Sequence, residues 1–266
     1  MDGEGSKLKK SDGFRHIRIV REDGVSRLIL ARPPLNVMNI EMMREITTAI
    51  ETIARDKALK AMVIEAEGKA FSAGVDVADH TEDKMEEMLT LFHHIFISLR
   101  TFQQPILGVV DGPALGGGCE LITYCDVVFA SDRATFGQPE IKVGVFPPVA
   151  VVALPKLIGK RKTFEMVLTG KTIGAEEAYR IGLINRVVPR EKLGEEVDAF
   201  LSELRGLSAI VLRMTKRAIF ETLGLGFEEG IQVAERLYLE YLMKTDDARE
   251  GLQAFLERRK PVWKDR

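Results

Sequence analysis

The stretch Pro105 to Glu120, Pro-Ile-Leu-Gly-Val-Val-Asp-Gly-Pro-Ala-Leu-Gly-Gly-Gly-Cys-Glu, constrains this chain more than any other. Ile106 to Val110 has the length and branching of a buried strand. A turn is expected at Asp111-Gly112-Pro113, followed by three consecutive glycines, Gly116, Gly117 and Gly118. Cys119 and Glu120 then open an apolar segment, Leu121 to Tyr124, that reads as the first turns of a helix. A strand, a glycine turn and a helix start leave bare N–H groups pointing outward at the positive end of the helix. The turn is not a Walker loop, because Gly118-Cys119 stands where Lys-Ser/Thr is required. No third glycine follows Gly116 at the offset of a dinucleotide fingerprint. Two readings stay open: an oxyanion hole, and a glycine cluster for close helix–strand packing.

The flanking chain alternates strands and helices. Phe14 to Arg21 and Val25 to Ala31 alternate around Glu22-Asp23-Gly24, the pattern of a β-hairpin. Asn39 is placed to cap a helix reaching Arg55, with Met42, Met43, Ile46, Ala49, Ile50 and Ile53 at helical spacing. Ala61 to Glu65 is a further strand, and small residues crowd Gly68 to Asp76 after it. Two such turns at strand ends can supply one N–H each to a single oxygen. Asp79 to Met88 reads as a mobile acidic loop and Met85 to Arg100 as a helix. His93 and His94 point about 100° apart on that helix and cannot share a metal ion.

Beyond Glu120, Asp126 to Ala130 is a strand and Ala134 to Gln138 a short extended piece. A helix is expected from Val149 to Ile158, broken or kinked at Pro155, with another from Lys160. Asn185 to Val188 reads as the last strand. The end of the chain reads as helices over 191–205, 208–223, 227–243 and 246–259. The expected organisation is an α/β core over 1–205 and a helical oligomerisation region over 206–266.

Bulk properties narrow the function. A net charge of −2 over 266 residues provides no basic surplus for nucleic acid. No run approaches the roughly 20 apolar residues of a membrane span, and the basic cluster Lys7 to Lys10 has no apolar segment after it. The two cysteines, Cys119 and Cys125, suit neither zinc nor a disulfide framework, so a reduced, cytoplasmic enzyme is expected. Among 40 acidic residues, Glu120 and Glu140 stand beside glycine or proline at the ends of apolar elements. Two carboxylates in a dry cleft can divide into acid and base. Unrelated surface acids are the competing reading of that pair.

Ala-Leu-Gly-Gly-Gly-Cys-Glu (114–120), Cys-Asp (125–126), Phe-Gly-Gln-Pro-Glu (136–140), Phe-Ser-Ala-Gly-Val-Asp (71–76), Val-Leu-Thr-Gly-Lys (167–171) and the segment from Asp246 to Lys260 resemble the crotonase, or enoyl-CoA hydratase/isomerase, superfamily. The likeness runs from Phe14 through nearly the whole chain. It implies a spiral of ββα units with a C-terminal helical trimerisation region, assembled as a homotrimer or a hexameric dimer of trimers. It implies an acyl-CoA thioester as substrate, with CoA as part of that substrate and no separate cofactor or metal. Val75 and Gly117 would hold the thioester oxygen through their N–H groups. Ala70, Ser72, Ala73, Asp76 and Val77 would line the CoA path, and basic residues near Lys260 would reach the CoA phosphates. The residue matching Glu120 orients and deprotonates water, and that matching Glu140 exchanges the proton at Cα. The presence of both favours a hydratase over a Δ3,Δ2-enoyl-CoA isomerase, and the charge balance disfavours a non-catalytic, RNA-binding relative.

The chain departs from the family pattern in two places. Pro147-Pro148-Val149-Ala150-Val151-Val152 replaces a glycine-rich run, and Ala78 stands where a lysine is common. Gly144 to Ala150 is similar to hydratases of cyclic dienoyl-CoA esters, such as cyclohexa-1,5-diene-1-carbonyl-CoA hydratase.

Overall fold

A computed structural model describes residues 13–266; the basic cluster Lys7 to Lys10 lies outside the described residues. Strands β1 (Ile17–Glu22) and β2 (Val25–Leu30) form the expected hairpin around Asp23 and Gly24. Helix α1 (Ile40–Ala54) starts where Asn39 accepts the Met42 N–H at 3.0 Å, and it buries the six apolar positions that its spacing marks. Next come β3 (Ala61–Ala66), α2 (Met85–Thr101) and β4 (Ile106–Val110). Every residue of β4 is buried, as a strand covered on both faces requires. The main sheet is completed by β6 (Val127–Ser131) and β9 (Arg186–Val188) in the order β1-β2-β3-β4-β6-β9, parallel except for the hairpin.

A second, smaller layer stands at the end of this sheet. It contains β5 (Pro113–Leu115), β7 (Thr135–Gly137) and β8 (Thr172–Gly174). Pro113 therefore opens a strand and does not belong to the expected turn. Proline is accepted there because the first residue of a strand can do without a ladder N–H. Two bridges hold the Phe71 to Asp76 turn, Ser72 to Ala114 joining it to this layer and Met38 to Val75 joining it to the chain before α1. The glycine turn leads directly from β5 into helix α3 (Gly117–Ile122).

A short 3₁₀ turn, Pro139–Val143, follows β7 and was not legible in the sequence. Helix α4 (Ala150–Leu157) runs through Pro155 and stops two residues beyond it. Helices α5 (Gly159–Thr169) and α6 (Ala175–Arg180) lead to β9 and then to α7 (Leu193–Arg205). Residues 81–87 are exposed, as expected of an acidic loop, and Asp79 is the exception. Asp79 is buried and accepts the Ile40 N–H at 2.9 Å, which satisfies an orphan donor in the first turn of α1.

The C-terminal region contains α8 (Ala209–Thr222), α9 (Phe227–Glu240) and α10 (Asp246–Leu256). Two buried lysines fasten α8 to the core. Lys216 binds Asp126 at 2.7 Å and the Gln104 carbonyl at 2.9 Å. Lys60 binds the Leu207 carbonyl at 2.7 Å and Asp265 at 2.5 Å. Phe227, Phe255 and Leu256 on α9 and α10 are more than four-fifths exposed, at 84%, 82% and 82%. Among the described residues no helix is long and apolar enough to cross a membrane.

Candidate active site

The two glycine turns meet at the smaller layer. The Phe71 to Asp76 turn lies against the Gly116 turn: a Cβ on Gly74 would sit 3.3 Å from the Leu115 carbonyl and 3.7 Å from the Gly117 nitrogen. In a trans peptide the C=O and N–H point in opposite directions. The Gly74 carbonyl accepts the Met38 N–H at 2.8 Å, so the Val75 N–H of the same peptide points away from Met38. The Gly116 carbonyl accepts the Glu120 N–H at 2.8 Å inside α3, so the Gly117 N–H leaves the helix at its N-terminus. Among the described residues neither the Val75 nor the Gly117 N–H has an acceptor.

Both glutamates converge on these turns. Glu120, one turn into α3, is only 2% exposed, and its Oε1 accepts the Ala150 N–H at the start of α4 at 2.7 Å. Burial pushes its pKa up to about 8, and the charge of Glu140 adds to the rise, against the opposing Ala150 and Val149 N–H groups. Glu140 lies in the 3₁₀ turn after β7, and its Oε1 comes within 2.5 Å of where a Cβ on Gly116 would stand. Gly116 has φ +51°, so glycine is required there for conformation and for room. Burial pushes the Glu140 carboxyl up to about 7. Gln138, fully buried, reaches both Glu140 oxygens at 3.2 and 3.3 Å once its amide nitrogen is turned toward them.

The raised Glu120 has a stability consequence. Between its ordinary value near 4.5 and about 8 the folded chain binds a proton that the unfolded chain has released. Its favourable contribution is therefore full below pH 4.5 and is lost as pH rises through about 8. Glu120→Gln keeps an acceptor for the Ala150 N–H and removes the ionisation. At pH 8.5 the variant should be more stable than wild type by on the order of 4–5 kcal/mol, with the gap closing below pH 5. Denaturant melts at both pH values measure this, and an unchanged gap would contradict the burial of a charge at Glu120.

The remaining predicted residues divide. Ala73, Asp76 and Val77 are at least partly exposed along the turn. Ala70 and Ser72 are buried, and the Ser72 hydroxyl points inward, donating to the Asn36 carbonyl at 2.7 Å and accepting the Gly74 N–H at 3.2 Å. Asp76 receives the Ala78 N–H at 3.2 Å and lies 3.5 Å from the Arg32 guanidinium. Cys119 lies beside both glutamates, but burial pushes its thiol up to about 12, which leaves it inert. Asn36, Gln138 and the Ala150 N–H escaped the sequence reading. Gln138, the residue before Pro139-Glu140, offered a signal; the other two acquire partners only in three dimensions. Val145 and Phe146, in the loop after the 3₁₀ turn, and Val151 and Val152, in the first turn of α4, are exposed apolar residues.

The Enoyl-CoA hydratase/isomerase family profile matches residues 20–266. A probable enoyl-CoA hydratase of Mycobacterium tuberculosis is 37% identical over 256 residues, covering 95% of this chain and 99% of that protein. The cyclohexa-1,5-dienecarbonyl-CoA hydratase of Thauera aromatica is 35% identical over 246 residues, covering 92% and 95%. Among solved structures, an enoyl-CoA hydratase from Bacillus anthracis superposes with a TM-score of 0.90 at 28% identity, covering 95% of this chain and all (100%) of that one. A Geobacillus kaustophilus enoyl-CoA hydratase subunit gives 0.87 at 34%, covering 95% and 99%. With the α/β spiral, the paired turns and a match over almost its whole length, the chain belongs to the enoyl-CoA hydratase/isomerase family of the crotonase superfamily, as an enzyme of the enoyl-CoA hydratase type.

Proposed function

We propose that the chain adds water across the α,β-double bond of an acyl-CoA thioester. One observation supports this above the others: a buried carboxylate, Glu120, and a half-buried one, Glu140, both with raised pKa, stand beside two N–H groups that have no acceptor among the described residues. The Val75 and Gly117 N–H groups hold the thioester oxygen and stabilise the enolate that forms when the β-carbon is attacked. Glu120 accepts a proton from water as its oxygen bonds to Cβ, and Glu140 delivers a proton to Cα. The proton gained by Glu120 equals the one lost by Glu140, so the pair holds one proton before and after the reaction. With Glu120 the more basic of the two, the reactive arrangement, Glu120 ionised and Glu140 protonated, is the less populated form of the singly protonated pair. CoA enters as part of the substrate, along the Ala70 to Val77 turn and toward basic residues near Lys260, and the reading includes no other cofactor.

The exposed apolar residues Val145, Phe146, Val151 and Val152 on the segment after Glu140, together with the similarity to the Thauera hydratase, support a cyclic dienoyl group alongside straight chains. The exposed apolar face of α9 and α10 supports assembly through the 206–266 region into a homotrimer or a dimer of trimers. Loss of the enoyl-thioester absorbance with crotonyl-CoA or cyclohexa-1,5-diene-1-carbonyl-CoA tests the reaction, and a flat trace with a whole panel of enoyl-CoA esters would sink it. A singly protonated pair also requires a bell-shaped kcat/KM profile with apparent limbs near 7 and 8, belonging to the pair as a whole. A flat profile over pH 6–9 would remove the pair from the mechanism.

A further inference from the structure

The oxyanion donor Val75 follows Gly74, whose φ of +108° lies where only glycine is comfortable. Glycine does not hold its own peptide in one orientation, so something else must aim the Val75 N–H. The contacts around Gly74 lead back to the backbone of one short segment, Leu35 to Met38. Gly74 donates its N–H to Ser72 Oγ at 3.2 Å, and Ser72 Oγ donates to the Asn36 carbonyl at 2.7 Å. The Gly74 carbonyl accepts from Met38, two residues after Asn36, and the Ala73 N–H donates to the Leu35 carbonyl, one residue before it.

Asn36 is completely buried and has φ +50°, a conformation that asparagine adopts more readily than most residues. Its amide is fully used. Oδ1 accepts the Arg32 N–H at 2.8 Å, and Nδ2 donates to the Glu67 carbonyl at 2.6 Å and the Ala70 carbonyl at 2.9 Å. One side chain thus ties the ends of β2 and β3 to the start of the turn, while its backbone neighbours hold the other end.

We propose that Asn36 is a positioning residue that aims the Val75 N–H at the thioester oxygen, acting through Ser72 and Met38. The inference rests on the hydratase reading. It assigns a role to a residue that contacts neither substrate nor catalytic carboxylate.

The test uses Asn36→Gly, which keeps the backbone conformation and removes the amide, and Ser72→Ala, which removes the hydroxyl that links the Gly74 N–H to the Asn36 carbonyl and leaves the Asn36 amide in place. The probe is 2,4-hexadienoyl-CoA, whose ultraviolet band moves to longer wavelength when its carbonyl is polarised by hydrogen bonds. Wild type should show the shift. Folded Asn36→Gly should lose most of it and about 10- to 10²-fold in kcat, with KM changed only a few-fold. Ser72→Ala should move in the same direction by less. A folded Asn36→Gly variant with the wild-type shift and kcat overturns the inference, because a purely structural staple would leave both unmoved. If Asn36→Gly does not fold, Ser72→Ala decides, and an unchanged shift in that variant overturns the proposal. A wild-type protein that gives no shift overturns the hydratase reading itself, and the inference with it.

Discussion

Glutamine in place of Glu140 should lower kcat by about 10²- to 10⁴-fold while circular dichroism and the melting transition stay close to wild type. The substitution preserves shape and leaves an oxygen to receive the Gln138 amide, which reaches Glu140 at 3.2–3.3 Å. What it removes, on the proposed mechanism, is the proton that Cα must receive. Two further readouts separate this from general damage. Exchange of the α-proton with deuterated water should fall together with hydration, because both need the same transfer. Removing the Glu140 charge should also lower the Glu120 limb of any residual activity below about 8, since that charge contributes to the rise. Near-wild-type hydration would show that the Cα proton comes from elsewhere.

The sequence carries the parts of the fold that depend on local chemistry. Asn39 marks the start of α1 because a capping side chain works within one turn, and the buried face of α1 follows from its spacing. Glu120 and Glu140 are recognisable as a pair because each sits where an apolar element meets glycine or proline, and the fold brings both to the Gly116 turn. Legibility fails where a residue's role depends on a distant partner. Asp79 reads as one charge in a solvated acidic run, yet it is buried against the first turn of α1, 39 residues away in sequence. Pro113 reads as a turn residue because nothing local reveals that β7 pairs with the segment after it. Ser72 belongs to a motif expected to line the substrate path, but its hydroxyl is turned toward Asn36. Asn36 has no sequence signal, because two of its three side-chain partners, the Glu67 and Ala70 carbonyls, lie 31 and 34 residues away in sequence.

Proline at Gly117 should reduce kcat by about 10²–10³-fold, the usual consequence of losing one oxyanion donor. The position suits the experiment because Gly117 is the first residue of α3. Proline is accepted at the first position of a helix, where the N–H has no intrahelical partner, so the substitution removes the donor without breaking the ladder. It also introduces a Cβ, and the space is narrow: that atom would meet the Val75 side chain at 2.9 Å and Met38 and Phe92 at 3.0 Å. All three are side-chain ends that can yield, but their displacement alone could disturb the site. Gly117→Ala supplies the control, since it carries the same Cβ and keeps the N–H. The alanine variant should retain a large part of the activity and of the hexadienoyl-CoA band shift, whereas the proline variant loses both. The ratio of the two rates then measures the N–H rather than the crowding. Equal losses in the two variants would mean that packing around Gly117 dominates, and the second donor of the oxyanion hole would have to be sought elsewhere.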